Sequence, residues 1–209
     1  MAQGVLPFQY QDQKRVSGLT ALAGLPAYLD LAQAAGLRDS LCRHLKIRSD
    51  STQGWSDHQI VMSLILLNLA GGDCVADLEK LEADEGLCQI MHKVEHYGLP
   101  RAERRALERR WRKKRQRTFP SASPVFRYLA EFHDPGQEEK RQAHRAFIPK
   151  AKENLRALGK VNRDLISFVQ SRSPQSQATL DMDATLVGSE KYQALWCYQY
   201  YKAYQPFNL

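Results

Sequence analysis

Apolar residues recur three and four positions apart along most of the chain, the spacing of one helix face. Leu19, Leu22, Leu25 and Leu29 start the pattern, interrupted at Gly24-Leu25-Pro26. A helix is expected over residues 26–35, ending at Gly36, and another carries Leu37, Leu41 and Leu45. Ser56 and Gln59 then stand in capping-box spacing before a near-continuous apolar run, Ile60 to Leu69, which Gly71-Gly72 stops. A helix apolar around most of its circumference belongs at the centre of an all-α bundle. Asp73 is placed to cap the next helix, with Val75, Leu78 and Leu81 inward. Leu87, Ile90, Met91 and Val94 continue the bundle to Gly98.

The pattern then changes. Pro100 suits the first turn of a helix whose only apolar residues are Ala102, Ala106, Leu107 and Trp111. After Thr118-Phe119-Pro120, Ser123 and Pro124 read as the N-cap and first residue of a short helix. Its inward set is expected to be Val125, Phe126, Leu129 and Phe132, which leaves Arg127 and Tyr128 more exposed. Two helices joined by a Pro/Ser turn, the first very basic, are the pattern of a helix-turn-helix unit. Residues 133–149 read as a polar connector. Leu155, Leu158, Val161, Leu165 and Val169 mark an amphipathic helix that gives way to a polar stretch, 171–177.

From Thr179 to Leu186 the period drops to two. Thr179, Asp181, Asp183 and Thr185 share one face, and Leu180, Met182, Ala184 and Leu186 the other. This predicts a strand over 178–187, buried on its even side. The aromatic run 195–201 reads as a second strand, paired with the first through a turn near residues 188–191. The expected organisation is a helical bundle over 1–99, a basic helix-turn-helix-like region over 100–135, a connector and amphipathic helix over 136–177, and the start of a sheet domain over 178–209. The fold class is mainly α.

At 209 residues the chain can bury a real core. No run is apolar enough to span a membrane, and the first residues lack the order of a signal peptide. A cytoplasmic protein is therefore expected, its four cysteines reduced and packed as small apolar groups. Trp55, Trp111 and Trp196 are expected to anchor cores. The six histidines have no metal-binding or nucleophile spacing.

Charge changes the picture more. Residues 101–117 hold ten Lys/Arg against two Glu, a net of +8, more than the +7 of the whole chain. Such clustering is the footprint of a polyanion binder, although a solvated helix face would look the same. Arg101, Arg104, Arg105, Arg109, Arg110, Arg112, Lys113, Lys114, Arg115 and Arg117 are the candidate phosphate contacts on double-stranded DNA. Ser121, Ser123, Arg127 and Tyr128, around the start of the second helix, are the candidate base contacts, with capping and core-edge roles as the alternative.

Asp181 and Asp183 carry the other candidate chemistry. Two carboxylates on one strand face repel, and aspartate is a poor strand former. A divalent cation would offset the repulsion, and a solvated strand face is the alternative. Two-metal phosphoryl transfer uses such rigidly held oxygen ligands, with ions about 4 Å apart. It also needs at least one more acidic side chain from elsewhere in the fold.

Several blocks together resemble the DDE-type transposases of bacterial insertion sequences: GLTALAGLPAYLDLA, GWSDHQIVMSLILLNLAGGDCVADLEKLEADEGL, RRALERRWRKK, PSASPVFRYLAEFHD, TLDMDATLV and YYKAYQPFNL. The resemblance implies a ribonuclease-H-like catalytic domain after the helical part, use of Mg²⁺ or Mn²⁺, binding to the terminal inverted repeats of an element, and work as a homodimer. It places the first catalytic aspartate at Asp183, also a metal ligand, with Asp181 as the rival assignment and a second candidate ligand. The family's second aspartate and its glutamate would lie further downstream, and Glu190 is too close to serve. The expectation is a truncated transposase of which the DNA-binding part and the first two strands of an incomplete catalytic domain are present, without strand-transfer activity. Two other readings stay open: a stand-alone DNA-binding regulator that competes for the element's ends, and a helical interaction module that binds no nucleic acid.

Overall fold

The computed structural model describes residues 5–6, 19–48, 54–112, 117–140, 150–177, 186–190, 194–197 and 199–204, the side chains of 107–112, 138, 195 and 204 excepted. They are mainly helical, as the periodicity predicts. The chain divides into two compact units, one made of residues 1–134 with 151–168, the other of 135–150 with 169–209.

In the first unit, α1 (Leu25–Ala34) and α2 (Leu37–His44) are separated by Gly36, whose φ of 65° is the left-handed turn that ends one helix and starts the next. Helix α3 (Asp57–Leu69) opens on the expected capping box: the Ser56 hydroxyl accepts the Gln59 backbone N–H at 3.4 Å, and Gln59 Oε1 accepts the Ser56 N–H at 3.1 Å. It closes on a Schellman motif. Gly71 adopts φ 77° and donates to the Asn68 carbonyl, and Gly72 donates to that of Leu67. A Cβ at Gly72 would run into the Leu67 side chain, so the sequence needs both glycines here.

Ile60, Leu66 and Leu67 of α3 form the centre of the main core. Around them pack Leu25 and Leu29 of α1, Leu78 and Leu81 of α4 (Leu78–Ala83), and Leu87 and Met91 of α5 (Glu85–His96). Each fully buried leucine contributes roughly 1.5–3 kcal/mol by leaving water. Asp73 does not cap as expected. The carboxylate of Asp77 reaches back to accept the N–H groups of Asp73 and Cys74, which closes a 3-10 turn, Val75–Asp77, ahead of α4. Asp84 caps α5 by accepting the Leu87 N–H at 2.8 Å.

Helix α6 (Arg101–Arg112) and helix α7 (Ala122–Ala130) follow, then a single turn, α8 (Pro135–Glu138), and α9 (Glu153–Arg172). Val161 of α9 joins Leu37, Leu41 and Leu45 in a smaller core of the first unit, with Leu158 and Leu165 half-buried beside it. Asp164 ties α9 to α2: it accepts from the Ser40 hydroxyl at 2.5 Å and lies 3.0 Å from His44 Nε2. Leu155 and Val169 of the expected stripe are exposed, because the contact is limited to the middle turns of the helix.

The second unit holds a small antiparallel sheet of β1 (Val187–Gly188), β2 (Leu195–Trp196) and β3 (Lys202–Tyr204), in the order β1-β3-β2. The aromatic run is not one strand. It turns at Tyr200, whose φ is 64°, so that Trp196 pairs with Lys202. Val187 then pairs with Tyr204 rather than with the 195–196 strand. Trp196 is exposed instead of anchoring a core. Of the expected strand over 178–187, residues 178–185 lie outside the described residues. Among the described residues, no helix is long and apolar enough to cross a membrane.

Candidate nucleic-acid interface

The basic segment enters the fold through Pro100, whose carbonyl accepts the Arg104 N–H as α6 begins. Every described side chain of α6, Arg101 through Ala106, is exposed. Arg101, Arg104 and Arg105 fall at i, i+3 and i+4, so they share one face of the helix. Glu103 is the acidic residue of the first turn. The side chains of Leu107, Arg109, Arg110, Trp111 and Arg112 lie outside the described residues, as do Lys113, Lys114 and Arg115.

Arg117 departs from the expected role. Its guanidinium lies 2.7 Å from a Glu79 carboxylate oxygen, and its Nε donates to the Phe119 carbonyl at 3.1 Å. Both contacts fasten the chain as it leaves the basic segment. Thr118, Phe119 and Pro120 then dive into the bundle, with Phe119 fully buried. Burial of backbone outside a helix or sheet demands partners for its N–H groups. Glu82 of α4 supplies them, one carboxylate oxygen accepting from Thr118 at 2.9 Å and from Phe119 at 2.8 Å. The Thr118 hydroxyl lies 3.2 Å from His92 Nε2 on α5. Nothing local in the sequence announces Glu82, which stands 36 and 37 residues from its partners.

This anchor sets α7. Ser121, rather than Ser123, occupies the N-cap position, and its side chain makes no capping hydrogen bond. The orientation of α7 also differs from expectation. Val125 and Tyr128 are buried and Phe132 is half-buried, whereas Phe126 and Leu129 are exposed. Tyr128 is therefore a core residue, 1% exposed, packed edge-on against Phe132 with ring centroids 5.6 Å apart. Burial, then the nearby Asp57 carboxylate, pushes its hydroxyl well above the ordinary tyrosine range. Both apolar stripes, 125/128/132 and 126/129, have helical spacing, and only tertiary contact chooses between them. One such contact is from Arg48, whose guanidinium donates to the Pro124 carbonyl at 3.4 Å while its backbone N–H donates to buried Asp57.

Of the candidate DNA contacts, Arg101, Arg104, Arg105, Ser123 and Arg127 are thus exposed, Ser121 is half-buried, and Arg117 and Tyr128 serve the fold. The cysteines differ from expectation too, since Cys42 and Cys74 are exposed. Half-buried Cys88 has its thiol pushed up by burial, with Glu82, Asp84 and Glu85 adding, which suppresses the thiolate a nucleophile would need. Asp181 and Asp183 lie outside the described residues. Among those described, no three His, Cys, Asp or Glu side chains converge as metal ligands.

A small pocket of about 50 Å³ opens elsewhere in the first unit, among α1, α2, α3 and α5. His58 lines it with Arg38, and burial followed by that guanidinium holds the imidazole down to about 4. His58 is thereby a neutral structural group, with Nδ1 at 2.9 Å from the Ser56 hydroxyl.

Set against known proteins, the chain matches no family model, no curated protein and no solved structure.

Proposed function

We propose that this chain grips duplex DNA as the end-binding part of a DDE-type transposase. Exposure of Arg101, Arg104 and Arg105 on one face of α6 carries the DNA-binding half of that reading. Guanidinium groups presented in this way neutralise phosphates and release condensed counterions, and the binding needs no base contact. The bundle below holds the segment after α6 through Glu82 and Arg117, so the basic run ends on a fixed support. The transposase half rests on the sequence blocks that resemble that family, as do the ribonuclease-H-like domain, Asp183 or Asp181 as metal ligand, and Mg²⁺ itself.

The test is a titration of a fluorescent random-sequence duplex, followed by anisotropy over a range of salt. If about five phosphates are neutralised, log K falls with log salt at a slope of roughly −4 to −5. Replacing Arg101, Arg104 and Arg105 together by Gln makes that slope shallower by about 2.7. A chain that fails to bind at low salt, or binds with no salt dependence, would sink the proposal.

A further inference from the structure

The outward face of α7 carries a second consequence, which rests on the DNA-binding reading above. Ser123, Phe126, Arg127 and Ala130 are all exposed and fall at i, i+3, i+4 and i+7, a single stripe along the helix. Phe126 is 59% exposed, in a helix whose opposite side is locked by fully buried Val125 and by Tyr128. Leu129, 40% exposed, flanks it. The stripe contains no carboxylate. The first one, Glu131, lies past the helix end and is within 3.9 Å of Lys152. An aromatic ring, a guanidinium and a hydroxyl therefore stand together on a rigid helix, with ten cationic residues shortly before it in the chain.

Size and chemistry fit one groove. An α-helix with its side chains is roughly 10–12 Å across, and the DNA major groove, about 12 Å wide, admits one such as α7. There the guanidinium matches the acceptors of guanine, a hydroxyl suits any base, and an apolar side chain fits the thymine methyl group. We infer that α7 is the base-reading helix, and that Phe126, by apolar contact with a thymine C5-methyl in the major groove, is a specificity-determining residue. A protein partner on the same face is less well matched, because the only charge on the stripe is cationic.

The experiment selects duplexes from a randomised pool with the full 209-residue chain, then replaces each thymine of the enriched site by deoxyuridine, which lacks only the methyl. At one position at least, the wild type should lose about fourfold in affinity, the worth of one buried methyl. Phe126→Ala should bind more weakly and be indifferent to that replacement, and Phe126→Leu should keep the sensitivity. Unchanged thermal melts show that both variants fold, as expected for an exposed position. If Phe126→Ala selects the same site with the same sensitivity to deoxyuridine, the inference is wrong while DNA binding stands. Salt-dependent binding without any enriched sequence has the same meaning. Self-association abolished by Phe126→Ala with DNA binding intact would make the face a protein interface and overturn the inference. No duplex binding at all would overturn the functional proposal first, and this inference with it.

Discussion

A single carboxylate oxygen of Glu82 accepts the backbone N–H of Phe119 at 2.8 Å, and the same oxygen takes that of Thr118 at 2.9 Å. The pair joins α4 to the segment between the basic helix and α7, across 37 residues. It allows an irregular segment with a fully buried ring to lie in the bundle with acceptors for its Thr118 and Phe119 donors.

Glu82→Ala leaves both N–H groups without that partner. Hydrogen bonds to an ionised acceptor contribute about 1.5–3 kcal/mol each, so a loss of roughly 2–4 kcal/mol is expected when the two share one oxygen. Urea unfolding of the variant checks this. Glu82→Gln keeps an acceptor and should lose less. Equal losses from the two variants would show that a neutral acceptor cannot stand in for the carboxylate.

Tyr128 and Arg127 are adjacent in sequence but do opposite things. Tyr128→Ala empties a buried aromatic site and should cost about 3–5 kcal/mol of stability. Tyr128→Phe keeps the ring, and its duplex affinity should match the wild type. Arg127→Ala should leave the melt unchanged and weaken duplex binding. Anisotropy titrations beside thermal melts separate the two, and a Tyr128→Phe variant with strongly reduced DNA affinity would contradict the buried placement.

His58 predicts an acid limb in stability. Its pKa falls from an unfolded value of 6.5 to about 4 in the fold, so the folded state favours the neutral ring. Above about pH 6.5 both states are neutral there and the contribution to stability is complete. As pH drops from about 6.5 toward 4 the unfolded chain takes the proton first, and roughly 3 kcal/mol is lost through this site. His58→Gln should flatten that limb. Urea midpoints at about pH 7 and about pH 4.5 for the two proteins give the comparison, and identical pH dependence would show that His58 is not its source.

Metal removal separates the basic face from the carboxylates. Guanidinium–phosphate contacts need no divalent ion. Excess EDTA at fixed ionic strength should leave duplex affinity unchanged within about twofold. A large loss on chelation, restored by Mg²⁺, would show that a cation bridges the protein to DNA.

Much of the bundle was legible in the sequence because local rules act locally. The Ser56/Gln59 capping box, the stop at Gly71-Gly72 and the buried apolar run between them each depend on residues within a turn or so of one another. The exposure of the first part of α6 was legible as well, since so dense a positive charge cannot be desolvated. The face of α7 was not. Val125/Tyr128 and Phe126/Leu129 are equally good helical stripes, and the choice was made by Arg48 bonding Pro124, and by Phe132 and the buried 118–120 strip, all outside the helix. Arg117 was likewise one cation among ten until Glu79 came within 2.7 Å. In the aromatic run, β-forming residues predicted a strand, but the reversal at Tyr200 and the pairing with Val187 decided where the strands lie. The sequence by itself determined which segments are helical and where charge gathers, because capping, periodicity and repulsion are properties of neighbours. Only the tertiary structure decided which side of a helix faces water, because that depends on partners tens of residues away.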